Sequence, residues 1–174
     1  MFLVASFLCF GQDVETYDVT HVVDGDTLKL ANGQTLKLAG INAPDIHETT
    51  TLTQQASKLG KEVWSYRTAG VNGQKAVAQF LKASDNKIEL EAETQSFDDE
   101  GNLFAYVFVS IPQTQNLDPD GTIVIKSNNQ YKIFLNAYLV SMGFAEMVSP
   151  DAKYKDLFEG LEQKAKAEKK GIWA

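Results

Sequence analysis

At 174 residues the chain is long enough for one domain with a proper core, and 44% hydrophobic with 22% charged residues is an ordinary globular balance. The net charge of −7 has the wrong sign for a domain that lives on phosphate backbones. Arg67 is the only arginine, which excludes chemistry built on two planar, bidentate phosphate clamps.

The first ten residues, MFLVASFLCF, are apolar except for Ser6 and too short to span a membrane. They read as the apolar region of a secretory signal ending at residue 11, with Cys9 and Gly11 as the small residues before the cut. The reading implies an exported protein, secreted or periplasmic, whose mature form has lost its single cysteine. No basic region precedes the apolar run, and an extra edge strand is the alternative. Residues 12–174 then form one domain, with no other stretch approaching a transmembrane span.

Residues 15–23 alternate Tyr17, Val19 and His21 against polar neighbours and predict a strand entering the turn Asp24-Gly25-Asp26. Next come Thr27-Leu28-Lys29-Leu30 and Thr35-Leu36-Lys37-Leu38 around Asn32-Gly33, a hairpin signal. A two-residue turn would mix leucine with polar residues on one face. A three-residue loop with Gly33 in the left-handed region keeps one face all leucine, and pairs Leu30 with Leu36 and Lys29 with Lys37. A hairpin brings its ends together, so Asp26 should meet the Asn42-Ala43-Pro44-Asp45 corner. Three oxygen-bearing side chains at one sheet end make a candidate site.

Beyond the corner, Leu52, Ala56, Leu59 and Val63 recur at helical spacing and predict a helix over 51–67. Residues 69–73, with Gly70 and Gly73, are expected to break it before a second short helix through Ala76 to Leu81. Residues 87–96 alternate as a half-buried strand with an acidic face, and the apolar run 103–111 predicts a central strand. A polar insertion over about 112–132 holds the turn Asp118-Pro119-Asp120-Gly121 and a short strand at 122–125. A helix at 134–142 stops at Gly143. The last helix opens at Ser149-Pro150 and closes at Gly171. Three strands together, then two more among helices, predict an α+β, mainly β chain: a five-stranded oligonucleotide/oligosaccharide-binding barrel with three to four helices.

In that order the chain resembles the staphylococcal nuclease (thermonuclease) family. The resemblance rests on Val22-Val23-Asp24-Gly25-Asp26-Thr27, on residues 38–45, on Asp99 to Tyr106, on residues 135–145 and on the Lys170-Gly171-Ile172-Trp173 ending. It implies calcium-dependent phosphodiesterase chemistry on DNA and RNA. Two carboxylates and a backbone carbonyl hold the metal, a glutamate activates water, and two arginines clamp the phosphate. By that resemblance the metal residues are Asp26, Asn42 and the Ala43 carbonyl. The base is Asp45, and the arginines are Lys37 and Asn102. Only Asp26 keeps the family's side chain. Asn42 removes a charge from the metal corner, so calcium is expected to bind weakly or not at all. Asp45 withdraws the base by one methylene. Lys37 keeps a charge without the fork, and Asn102 keeps neither.

The family's flexible loop after the glutamate has grown here into an insertion over 46–72, which carries Lys58, Lys61 and Arg67, with Arg67 as a possible replacement cation. Two readings follow. One is a binding module with lost or severely reduced phosphodiesterase activity. The other is an active calcium-dependent nuclease rescued by those basic residues. A monomer is expected. The net charge disfavours nucleic acid as partner and leaves an unidentified protein possible.

Overall fold

The structure, a computed structural model, describes residues 16–113, 117, 121–127, 129–148 and 152–174, and for 93–96 the backbone alone. The expected signal segment at 1–11, the turn at 118–120 and the helix start at Ser149-Pro150 lie outside those residues.

Alternating leucines build a three-stranded meander: β1 (Thr16–Val22), β2 (Thr27–Leu30) and β3 (Thr35–Leu38). Leu28, Leu30, Leu36 and Leu38 are buried, while Lys29 and Lys37 face outward, as the pattern requires. The loop is the expected three-residue one, with Gly33 at φ 87 and its N–H donating to the Leu30 carbonyl. The pairing is two residues away from expectation. Leu28 stands opposite Leu36 and Lys29 opposite Thr35, so the lysines are not side by side. A slip of two leaves every side chain on its face, so burial cannot detect it; the turn hydrogen bonds decide.

After β3 come the two-residue β4 (Ile41–Asn42), then α1 (Thr50–Lys58) and α2 (Val63–Ala83). Next, β5 (Lys87–Phe97) pairs with β1, and β6 (Leu103–Pro112) with β5. A parallel pairing of β6 with β3 closes the five-stranded barrel. β6 is central, as its apolar run predicts. On its other side it carries β8 (Gln130–Phe134), edged by β7 (Val124–Ser127). α3 (Leu135–Ser141) follows β8 directly, β9 (Glu146–Met147) pairs with β4, and α4 (Lys155–Ala167) completes four helices.

Three expectations are corrected. The helical break falls at Gly60 to Glu62, where Gly60 is left-handed, its N–H donates to Ser57 and that of Lys61 to Ala56, a Schellman ending. α2 instead runs through Gly70 and Gly73. A Cβ at Gly70 would stand 2.3 Å from the Pro44 carbonyl oxygen, so glycine serves close packing there, not helix termination. The strand expected at 122–125 lies at 124–127, and β8 went unforeseen because its five residues run from exposed to buried instead of alternating. α4 ends at Ala167, four residues early, with Lys169 left-handed at φ 51 and its successor donating back to Ala165.

Asn136 is the one buried polar side chain of the described core. Its Nδ2 donates to the Ala39 carbonyl at 2.9 Å and its Oδ1 accepts from the Val107 N–H at 2.9 Å. It therefore ties the end of β3 to β6. Removing it strands two backbone groups away from water. Asn136→Ala is expected to lower unfolding stability by about 2–4 kcal/mol in chemical denaturation, well above the effect of an ordinary surface change.

Candidate active site

The turn after β1 is closed by the Asp26 N–H donating to Asp24 Oδ1 at 3.0 Å, and the Gln74 amide of α2 holds the Val22 and Val23 carbonyls. Asp26 turns inward. Its Oδ1 accepts from Thr27 Oγ1 at 2.9 Å and its Oδ2 from the Ala43 N–H at 2.5 Å. The hairpin thus joins its two ends through a carboxylate and a backbone amide. Burial, and then the neighbouring Asp24, push the Asp26 carboxyl up to about 8.

Asp24, Asp26, Thr27 and Ala43 line a cleft of about 500 Å³. Asp24, Asp26, Asn42, Ala43, Asp45 and Lys37 stand in its wall, so five of the seven expected site residues meet there. Asp45 Oδ2 accepts from Thr49 Oγ1 at 2.8 Å; that same oxygen caps α1 by accepting from the Leu52 N–H. Thr51, Gln55 and Lys58 then face the cleft at helical spacing, while Leu52 and Ala56 pack on α2.

The two residues expected to clamp phosphate, Lys37 and Asn102, both meet Asp98. Lys37 Nζ lies 3.1 Å from Asp98 Oδ2, and Asn102 donates to Asp98 through its Nδ2 and its backbone N–H, both at 2.8 Å. The Asn102 hydrogen bonds, joined by Lys37, hold the Asp98 carboxyl down at about 2. Arg67 is not part of the cleft wall: its Nε donates to the Ile46 carbonyl at 2.6 Å and its Nη1 lies 3.6 Å from Glu48. Lys61 reaches the Ala174 carbonyl. Of the three basic residues expected to help, Lys58 alone lines the cleft.

Three further residues escaped the sequence reading. Glu146 of β9 stands opposite Asn42 and also lines the cleft. Its only sequence signal is a single acid among Ala145, Met147 and Val148. Gln55 Oε1 and Tyr66 Oη are buried without a hydrogen-bond partner among the described residues. Tyr66 is 0% exposed, and after burial the charges that hold its pKa above the ordinary tyrosine range are Glu146, Asp26 and Asp45. An O–H left so costs on the order of 1–3 kcal/mol unless water or a ligand meets it.

Every donor here is a hard oxygen: carboxylate, amide or backbone carbonyl. That set suits calcium or magnesium and not a thiolate-seeking metal. Among the described residues no three acidic or histidine side chains form a ready cage, so amide, carbonyl and water oxygens would complete the shell. With orphaned polar atoms beside the acids, the residues fit a hydrated divalent cation.

Residues 35–174 match the family model described as staphylococcal nuclease homologue. The chain is 26% identical over 165 residues to the thermonuclease of Staphylococcus hyicus, covering 92% of this chain and 76% of that one. It is 30% identical over 169 residues to the SPbeta prophage-derived endonuclease YokF of Bacillus subtilis, covering 92% of this chain and 45% of the relative. An uncharacterised protein of Methanocaldococcus jannaschii is 27% identical over 161 residues, 89% of this chain and 70% of its own.

The Asp98 turn is testable by pH. Its carboxyl sits below the unfolded value of 3.8, so its contribution to stability is present above that pH and lost as pH falls towards about 2. Unfolding free energy is expected to drop through that window, and to drop less steeply in Asp98→Asn, when followed by denaturant titration at stepped pH.

Proposed function

The chain belongs to the staphylococcal nuclease homologue family, and from that premise we propose a nuclease-fold binding module whose phosphodiesterase activity is lost or severely reduced. The observation that carries this reading is the Asp98 cluster. Phosphodiester hydrolysis builds negative charge on the equatorial oxygens, and bidentate cations aimed at them are the main stabilisation. Here Lys37 is neutralised by Asp98, and Asn102 brings no charge. Losing one such donor typically costs about 10²–10³ in rate.

The remaining parts are less damaged. Asp26, Asn42 and the Ala43 carbonyl would hold a divalent cation, which supplies Lewis-acid polarisation of a phosphoryl oxygen when bound. Asp45 is held in place by Thr49 but reaches one methylene less far than a glutamate. A cation corner without its clamp supports recognition better than cutting. The net charge of −7 weighs against a partner gripped through a phosphate backbone and favours a protein partner.

One observation favours a second reading, a working nuclease of low activity. Lys58 lines the cleft and has no ion pair within 4 Å among the described residues. On this reading Lys58 meets the phosphate.

The two readings separate on single-stranded DNA at high calcium and mildly alkaline pH, with chelator as control. The unmodified protein is expected to cut no faster than the chelated sample. Asn42→Asp with Asp45→Glu is expected to yield a trace of cleavage, and Lys37→Arg with Asn102→Arg to add at least about tenfold. Chelator-sensitive cleavage by the unmodified protein, abolished in Lys58→Ala, establishes the second reading instead.

A further inference from the structure

The charge missing at Asn42 has a counterpart directly across the small sheet. We propose that Glu146 is a ligand of a divalent cation bound in the acidic corner, and that with Asp26 it restores the two-carboxylate charge that Asn42 alone would leave incomplete. The proposal rests on the reading of that corner as a cation site, and names the residue that completes it.

Position comes first. Asn42 and Glu146 are direct partners in the β4–β9 ladder, and residues opposite each other in an antiparallel pair project from the same face. As cross-strand partners the two side chains stand beside each other at one rung of that ladder. Both line the cleft that also holds Asp24, Asp26 and Asp45. β9 is held from behind: the Met147 N–H donates to Glu162 Oε1 at 3.0 Å, and the Val148 N–H to the Gly40 carbonyl at 3.1 Å. Glu146 is thus presented by a fixed strand, not by a loose loop.

Chemistry comes second. Glu146 is half-buried, and among the described residues it has no cationic side chain within 4 Å. The lysines in its field are Lys58, on the cleft face of α1, and Lys166, which lies 2.6 Å from Glu162 instead. Glu162 adds a like charge. An ion pair therefore does not explain why a carboxylate stands here.

The independent observation is Tyr66. Its hydroxyl is wholly buried, has no hydrogen-bond partner among the described residues, and lies in the field of Glu146, Asp26 and Asp45 together. Gln55, which lines the cleft as Tyr66 does not, has a buried Oε1 that also lacks a donor among the described residues. Water on a cation between these acids can accept from the phenol and donate to the amide oxygen. A lone acidic patch offers neither group a partner. Asn42 brings no carboxylate to this strand pair, and Glu146 opposite it does. Calcium affinity follows ligand charge and rigidity, and both are recovered.

Calcium titration calorimetry tests this on the unmodified chain and on Asp26→Asn, Glu146→Gln, and the exchange Asn42→Asp with Glu146→Gln. Calcium-induced shifts in melting temperature serve as a second readout and report whether each variant is folded. The unmodified chain is expected to bind calcium. Asp26→Asn and Glu146→Gln should each weaken binding at least about tenfold, the scale of losing a group that supports a metal. The exchange variant should return within about threefold of the starting affinity, because the carboxylate has only changed strands. If Glu146→Gln binds as well as the unmodified chain while Asp26→Asn does not, the corner holds a cation without Glu146 and the proposal fails alone. If the exchange variant is folded but stays as weak as Glu146→Gln, the proposal likewise fails. If the unmodified chain binds no calcium, the proposal falls together with the reading of the corner as a cation site. None of these outcomes bears on cleavage, which the DNA assay decides separately.

Discussion

The barrel depends on the two hydrogen bonds of one buried amide. Asn136 joins the Ala39 carbonyl to the Val107 N–H, across the seam where β3 and β6 run parallel. A parallel contact between two strands far apart in sequence has no turn to hold it and must be secured by other means. The seam has its own ladder and the Ala39 N–H bond to the Ala105 carbonyl at 2.9 Å. Asn136 adds a clamp from a third element, α3. Beside it, Phe134, Tyr106, Tyr154 and Phe158 pack in edge-to-face and tilted pairs with centroids 4.7 to 6.3 Å apart, bringing α4 onto the same seam. Ala39 lies three residues before Asn42, so the clamp that closes the barrel also fixes the approach to the corner.

The corner is then an electrostatic problem with a tertiary solution. Asp24 and Asp26 crowd one turn, Asp45 stands at the start of α1, and Glu146 arrives from β9. Hydrogen bonds from Thr27, Ala43 and Thr49 relieve part of that repulsion without supplying a positive charge. The available cations are turned elsewhere: Lys37 to Asp98, Arg67 to Ile46 and Glu48, Lys61 to the chain end. Lys58 alone among the residues of the cleft wall offers an uncommitted positive charge. An excess of oxygen donors over cations is the condition in which a bound divalent ion gains most.

The segment between the corner and β5 shapes this site more than its composition suggests. α1 lies along the cleft with a polar stripe towards it and Leu52 and Ala56 towards α2. α2 presses on the corner so closely that Gly70 has no room for a side chain beside Pro44. Tyr66, one turn earlier, is buried among Leu52, Ala56, Ala69 and Ile172, within the field of the acids.

Much was legible without coordinates, because the physics there is local. Period-two leucines select the buried face of the hairpin, and Asn32-Gly33 selects its loop. A chain that turns back on itself must bring Asp26 to the Asn42–Asp45 corner. These follow from short-range geometry, and they placed Asp26, Lys37, Asn42, Ala43 and Asp45 in one cleft. What the sequence left open depended on contacts between distant segments. Gly70 and Gly73 read as helix breakers until the Pro44 and Phe144 surfaces are seen against them. Arg67 reads as a spare cation until its bond to Ile46 is drawn. Glu146 lies 104 positions after Asn42 and shares no periodic pattern with it; only the β4–β9 pairing makes them neighbours. Local chemistry determined the barrel strands and one end of the site. The tertiary structure decided which charges face each other across it, because only packing brings together groups that the chain keeps apart.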